Sequence, residues 1–330
     1  MAESYSSTST SRISIALATY NGERFLGEQL ESLLRQTCAP HELVACDDGS
    51  SDGTLALLEA FAARAPFPVR VLQSEHRHGS TATFEKAIRA CSGDFIALCD
   101  QDDVWHAEKL ARLAAAFTSD ASPGLVFSNA ELIDAAGLPL ADDLWQAISF
   151  SRREQDEFRA GRAAEVLLRR YAVTGATLAF RVSEREWLLP IPHGWIHDAW
   201  LALLLVATSS VALLEEKLIQ YRQHAGQQIG ARRRTLSEQL RRAAASRPED
   251  FLRQAYNFEA VHRRLAEHAS RLISADILTQ LQEKAAHCRT RARLRFDEGI
   301  RLPHVWREFT SGRYRRFARG WQSALHDLLL

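Results

Sequence analysis

The chain has 330 residues, 41 Lys plus Arg against 41 Asp plus Glu, and 46% hydrophobic residues, which excludes a disordered or fibrous protein and leaves enough apolar sequence for a sizeable core. That length suits one large α/β domain with an accessory segment, or two medium domains, because single cores rarely grow beyond about 250–300 residues. The zero net charge is a cancellation: residues 1–230 carry 20 basic and 30 acidic side chains and residues 231–330 carry 21 and 11, an asymmetry that points to an anionic partner for the basic part.

The first twelve residues, MAESYSSTSTSR, are polar and lack the apolar centre of a signal peptide, so residues 1–12 read as a disordered lead-in and secretion is not expected. From there short apolar runs at 13–18, 43–46, 69–73, 95–99 and 125–128 alternate with amphipathic stretches at 23–36, 53–64, 81–91 and 107–117. This is the pattern of a parallel sheet wound by crossover helices. Each run ends in polar or acidic residues, and ligands of such sheets sit outside the carboxyl ends of the strands. Nothing divides the first 225 residues, so 13–230 reads as one domain. The most apolar stretch, 200–214, is too short to span a bilayer and is interrupted by Thr208, Ser209 and Ser210, which predicts a buried helix followed by a strand. Five cysteines, an odd set without a CxxC pair, argue against a disulfide framework and a cysteine zinc site and fit a reducing cytoplasm.

Beyond residue 230 the sequence becomes arginine-rich and helical, and 231–330 reads as a basic helical region. Its last stretch sets Tyr314, Phe317, Trp321, Leu325 and Leu328 at three- and four-residue steps, with Arg313, Arg315, Arg316 and Arg319 between them. This predicts one amphipathic basic helix, suited either to lie on an anionic membrane or to dock on the first domain. No nucleic-acid-binding signature accompanies the arginines, so that partner is not expected.

Two acidic clusters carry the chemistry. Asp47-Asp48-Gly49-Ser50-Ser51-Asp52-Gly53-Thr54 follows the run 43–46; its glycines permit tight turns and its short polar residues suit a helix cap, but two adjacent carboxylates exceed what capping needs. Asp100-Gln101-Asp102-Asp103-Val104-Trp105 follows the run 95–99, and three carboxylates within four residues are tolerated best beside a cation. Oxygen ligands select Mg²⁺ or Mn²⁺, which usually complete their shells with water and substrate phosphates. A diphosphate is the implied ligand.

The segment from Ile13 to Gly22, then DDGSSDGT and GDFIALCDQDDVW, resembles the family 2 glycosyltransferases of the GT-A fold, an α/β nucleotide-diphospho-sugar transferase fold with a Rossmann-like, mostly parallel sheet, here followed by a helical extension. The resemblance runs from about Ile13 to Gly230. It implies metal-dependent transfer of a sugar from a nucleotide-diphosphate donor with inversion at the anomeric carbon. Carried onto this sequence, it places Thr19, Tyr20, Asn21, Asp47, Asp48, Gly79, Asp100 and Gln101 around the nucleotide, and Asp102, Asp100 and His224 at the metal. Asp103 and Trp105 match a DDxW variant of the motif. In the loop from Arg77 to Glu85, Gly79 and Phe84 fit the family pattern, while its usual asparagines are replaced.

In the second half, Gly194-Trp195-Ile196-His197-Asp198-Ala199-Trp200 resembles the place where the family keeps its catalytic aspartate, which makes Asp198 the candidate general base. Thr177, Trp195, His197, Trp200, Trp105 and Arg222 are candidates for acceptor or phosphate contacts. The expected reaction is transfer from dTDP-rhamnose or a UDP-hexose to a saccharide or lipid-linked acceptor in cell-surface polysaccharide synthesis, at the cytoplasmic face of the plasma membrane. Other readings are a phosphohydrolase using the Asp100/Asp102 pair, which would need that pair on the first strand of its domain, or a non-catalytic binding scaffold with a basic tail.

Overall fold

The computed structural model describes residues 11–119, 122–227, 238, 241, 245–268, 273–296 and 301–329. Most of the predicted lead-in, and the arginine-rich segment after Gly230, lie outside the described residues. Among the described residues nine strands form one sheet in the order β3-β2-β1-β4-β8-β6-β9-β5, with β7 paired to β6. The parallel half consists of β1 (Ile13–Thr19), β2 (Glu42–Asp47), β3 (Val69–Gln73) and β4 (Phe95–Asp100). Helices α1 (Glu23–Leu34), α2 (Thr54–Ala62) and α3 (Ser80–Ala90) connect these strands. Strands β1, β2 and β4 are buried almost throughout, which is why they read as continuous apolar runs rather than alternating ones.

The other half is mixed. After β5 (Val104–Trp105) and α4 (Lys109–Phe117) come β6 (Leu125–Ile133) and β7 (Pro139–Asp143). Helices α5 (Leu144–Ala147), α6 (Arg152–Arg159) and α7 (Ala163–Arg169) lead to a 3₁₀ turn at Gly175–Thr177 and to β8 (Leu178–Arg181). Strand β8 inserts antiparallel between β4 and β6. Helix α8 (Arg185–Leu188) precedes α9 (His197–Thr208) and β9 (Val211–Arg222), so the apolar stretch 200–214 is a buried helix followed by a strand, as its length and its interruption predict. No helix among the described residues is long and apolar enough to cross a membrane. All five cysteines are unpaired.

Helices α10 (Pro248–Glu267) and α11 (Ala275–Phe296) follow. Val261, Leu265, Leu281 and Cys288 from these helices join the same hydrophobic core as Ile15 and Leu98 of the sheet. The indole nitrogen of Trp195 donates to the carbonyl of Asn257 at 3.2 Å, and Arg264 donates to the carbonyls of Trp187 and Pro190.

The chain ends in α12 (Leu302–Thr310), α13 (Arg313–Phe317) and α14 (Trp321–Leu329). The single terminal helix expected from the spacing is therefore two. Ala318 is extended and Gly320 adopts φ +61°, a left-handed conformation that ends the helical run. The break turns Tyr314 and Phe317 into the core, while Trp321, Leu325 and Leu328 remain exposed.

Candidate active site

Register brings the two acidic motifs together. Thr19 lies opposite Asp47 in the β1–β2 pair and Ala18 opposite Asp100 in the β1–β4 pair, so three strands end on one edge. A cleft of about 500 Å³ opens there, lined by Thr19, Tyr20, Asp48, Gly79, Asp100, Gln101, Asp102, His197, Asp198 and His224, among others.

On the nucleotide side the predicted residues divide between lining the cleft and shaping it. Asp48 accepts the backbone N–H groups of His78 and Gly79, both at 2.8 Å, and fixes the loop before α3. Gly79, at φ +90°, turns that loop in a conformation that side chains rarely adopt. Asp47 does not line the cleft. Its buried carboxylate accepts the Thr19 hydroxyl at 2.9 Å, the Ser50 hydroxyl at 2.5 Å and the Ser50 N–H at 2.8 Å, so it holds the turn rather than facing a nucleotide. Asn21 also lies outside the lining: at φ 45° it receives the Ser51 N–H and donates its own N–H to Ser50. Gln101 works on the backbone, receiving the Tyr20 N–H at 2.8 Å and donating to the Tyr20 carbonyl at 3.0 Å. The Arg77 guanidinium sits 4.2 Å from the centre of the Tyr20 ring, placing in the cleft a cation that the resemblance does not assign.

The three clustered carboxylates take different environments. Asp103 is fully buried, accepts the Arg222 N–H at 3.0 Å and leaves its other oxygen without a partner; burial, then the charges of Asp102 and Asp100, push it well above the usual carboxylate range. Asp102 faces His224, 2.8 Å from its Nε2. Asp100 is pushed up to about 7, first by burial and then by the charges of Asp102 and Asp198, so Asp198 belongs to the same electrostatic site. Below them lies Lys109, fully buried, donating to the Ala176 carbonyl at 2.8 Å and lying 3.6 Å from the centre of the Trp105 ring. Burial pushes its ammonium down to about 7, with the neighbouring Cys99, Asp103 and Asp100 acting in the opposite direction. Lys109 escaped the sequence reading because it looks like an ordinary first-turn helix residue.

Two carboxylates and one imidazole on an open cleft form an oxygen-rich donor set that suits Mg²⁺ or Mn²⁺. Among the described residues no three such side chains converge closely enough to hold an ion by themselves. A cation here would take its remaining ligands from a bound diphosphate and water, as magnesium usually does.

On the acceptor side, Asp198 lies in the first turn of α9, half-buried, and accepts the Gly175 N–H at 3.1 Å and the Ala199 N–H at 2.6 Å. His197 stacks on Phe84 at 4.1 Å between ring centres, with both nitrogens unpartnered, and burial lowers its pKa.

The remaining acceptor candidates are elsewhere. Trp195 and Trp200 are core residues, packed edge-on to each other, with the indole N–H of Trp200 given to the Leu188 carbonyl. Trp105 is buried over Lys109, and Thr177 is buried with its hydroxyl on the Thr174 carbonyl. Arg222 is 1% exposed. It donates to the Asp102 carbonyl at 2.9 Å, pairs with Glu28 and stacks on Phe25, so it braces the acidic turn from behind. The large aromatic ring in this part of the cleft is instead Tyr171, 56% exposed. The sequence offered no signal for it beyond its place three residues before the Thr174-Gly175 segment.

Residues 14–132 match the family described as Glycosyl transferase family 2. The UDP-Glc:alpha-D-GlcNAc-diphosphoundecaprenol beta-1,3-glucosyltransferase WfgD of Escherichia coli is 38% identical over 99 residues, 30% of this chain and 38% of that one. The dTDP-rhamnosyl transferase RfbG of Shigella flexneri is 33% identical over 118 residues, 34% of this chain and 38% of that one. The chain thus spans less than half the length of these relatives. Among solved structures, Staphylococcus aureus TarS 1–349 in complex with UDP-GlcNAc superposes with a TM-score of 0.55 at 17% identity, covering 84% of this chain and 72% of that one. The mannosyltransferase PcManGT from Pyrobaculum calidifontis, in complex with GDP-Man and Mn²⁺, gives 0.51 at 16% identity, covering 97% and 86%. The fold is the GT-A fold expected from the motifs, and the similarity to glycosyl transferase family 2 lies in residues 14–132.

Proposed function

We propose that the protein is a divalent-metal-dependent, inverting glycosyltransferase. In this reading it moves a sugar from a nucleotide-diphosphate donor, dTDP-rhamnose or a UDP-hexose, to a saccharide or lipid-linked acceptor of a cell-surface polysaccharide at the cytoplasmic face of the membrane. The observation that carries the reading is the shared cleft, in which Asp198 sits within electrostatic reach of the Asp100/Asp102 pair. Asp100, Asp102 and His224 would hold Mg²⁺ or Mn²⁺, which supplies positive charge for the leaving diphosphate. Asp48 and Gln101 hold the loops that shape the nucleotide end, where Tyr20 and Arg77 offer a stacked face.

Asp198, oriented by the N–H groups of Gly175 and Ala199, takes the proton of the acceptor hydroxyl. That oxygen bonds to the anomeric carbon while the bond from that carbon to the diphosphate oxygen breaks, and the nucleoside diphosphate leaves. Placement of Asp100 at the end of the fourth strand disfavours the phosphohydrolase reading, which needs the pair on the first.

Incubation with a panel of nucleotide sugars, Mn²⁺ and candidate acceptors tests this. Acceptor-dependent release of nucleoside diphosphate is expected; inorganic phosphate release without acceptor refutes it. Asp198→Asn should lower kcat by about 10²–10⁴ with nucleotide affinity unchanged, the range for loss of a general base.

A further inference from the structure

The last helices are built inside out. Helix α12 buries Val305 and Glu308 and exposes Leu302, Trp306 and Phe309; α14 buries Ser323, Ala324 and Asp327 and exposes Trp321, Leu325, Leu328 and Leu329. On each helix the exposed apolar residues recur at three- and four-residue steps, so each presents an apolar stripe to solvent. The two helices are in contact with each other, around a small core of Leu294, Val305, Tyr314 and Ala324. Exposed apolar stripes on two helices in contact mark a surface that meets something.

Charge identifies the occupant. Residues 301–329 hold six arginines and two carboxylates, and both carboxylates are spent inside. Glu308 accepts from His287 at 2.6 Å and from Arg313 at 3.0 Å. Asp327 accepts from Arg291 at 2.6 Å and from the Tyr314 hydroxyl at 2.8 Å. Arg307 and Arg315 are exposed, with no carboxylate within ion-pair distance among the described residues. The outward charge of this tip is therefore cationic. Tryptophans beside arginines on an apolar face match the interface of an anionic bilayer, where indoles sit at headgroup depth and guanidiniums meet phosphate.

We infer that α12 and α14 form a docking surface for an anionic lipid bilayer, entered by Trp306, Phe309, Trp321 and Leu325. The surface deepens the membrane-face part of the reading above and rests on that part alone, independent of the transfer chemistry.

The test uses the full chain with vesicles of equimolar phosphatidylglycerol and phosphatidylcholine, and with phosphatidylcholine alone as the neutral control. Five of the seven tryptophans, Trp105, Trp145, Trp187, Trp195 and Trp200, are at most 5% exposed, whereas Trp306 and Trp321 are each 64% exposed, so a blue shift of emission on vesicle addition reads these two. Cosedimentation with the anionic vesicles, with such a shift, is expected. Trp306→Ser with Trp321→Ser should remove the shift and weaken binding by about tenfold per tryptophan. Because both rings are exposed, the thermal midpoint should not change. Arg307→Gln with Arg315→Gln should weaken binding to the anionic vesicles by about fivefold per arginine and leave the neutral control unchanged. Full-chain protein that stays in the supernatant overturns the inference, as does a double tryptophan variant that binds like the parent. A concentration-dependent blue shift without vesicles, accompanied by dimer formation, overturns it in favour of a second copy. Nucleotide affinity and transfer to a soluble acceptor should persist in every variant. Their loss in the parent protein with vesicle binding intact would count against the transfer reading alone.

Discussion

Arg222 separates two accounts of the site. By sequence it is a candidate phosphate contact; by position it is a brace, 1% exposed and linking β9, the Asp102 turn and α1. Replacing it with Ala removes a charge-assisted bond to the partly buried Asp102 carbonyl, about 1.5–3 kcal/mol. It also removes its stacking on Phe25, about 1 kcal/mol, and an ion pair with Glu28 that contributes no more than about 1 kcal/mol because Glu28 is 64% exposed. The sum is about 2.5–5 kcal/mol, which in a chain of 330 residues lowers the melting midpoint by roughly 4–7 °C. Arg222→Ala should therefore melt early. Arg222→Lys should recover only part of the loss, because an ammonium cannot match the planar fork or the stack. Differential scanning fluorimetry and nucleotide titration on both variants decide the matter. An unchanged midpoint together with a large fall in kcat would refute the brace and restore Arg222 as a group that meets the diphosphate.

Gly175→Ala would set a Cβ 2.9 Å from His197 Nε2 and 3.3 Å from Asp198 Cβ; with His197 backed by Phe84 the ring cannot retreat, so kcat should fall at least about tenfold with nucleotide affinity preserved, and full activity would show that the Asp198 position is not critical. Lys109 has a folded-state pKa of about 7, below its ordinary value of 10.5. Between those values the unfolded chain binds more protons, so stability attributable to this group rises with pH through that window by up to roughly 1.4 kcal/mol per unit. Chemical denaturation of Lys109→Met across that window should lack this rise; identical pH slopes in parent and variant would contradict the assignment. Asp102→Ala should abolish the gain in nucleotide affinity that Mn²⁺ gives the parent protein, measured by calorimetry with and without metal. A preserved gain removes Asp102 from the cation site.

The parallel half of the sheet was legible because β1, β2 and β4 are buried on both faces and so declare themselves as apolar runs, and β3, half-exposed at the edge, still keeps its β-branched and apolar residues; all four begin and end within a residue or so of the expected positions. The four-residue β8, the two-residue β5 and most of β9 were not, since β9 is half-exposed over residues 211–217 and its pairing depends on partners remote in sequence. At the site, the sequence determined which carboxylates gather, because strand order and register carry three strand ends to one edge. It did not determine which way each side chain turns. Neighbouring strand-end residues point to opposite sides, so Asp48 reaches the cleft while Asp47 is spent on Thr19 and Ser50. The same limit hid the aromatic residues. Trp195 and Trp200 resemble sugar-stacking rings until Phe258 and Arg264 of α10 pack against them, while Tyr171 lines the cleft and Trp306 and Trp321 lie outside the core. Composition and motif fixed the chemistry available to this chain. The faces on which that chemistry is displayed depend on contacts between residues far apart in sequence, which only the folded chain defines.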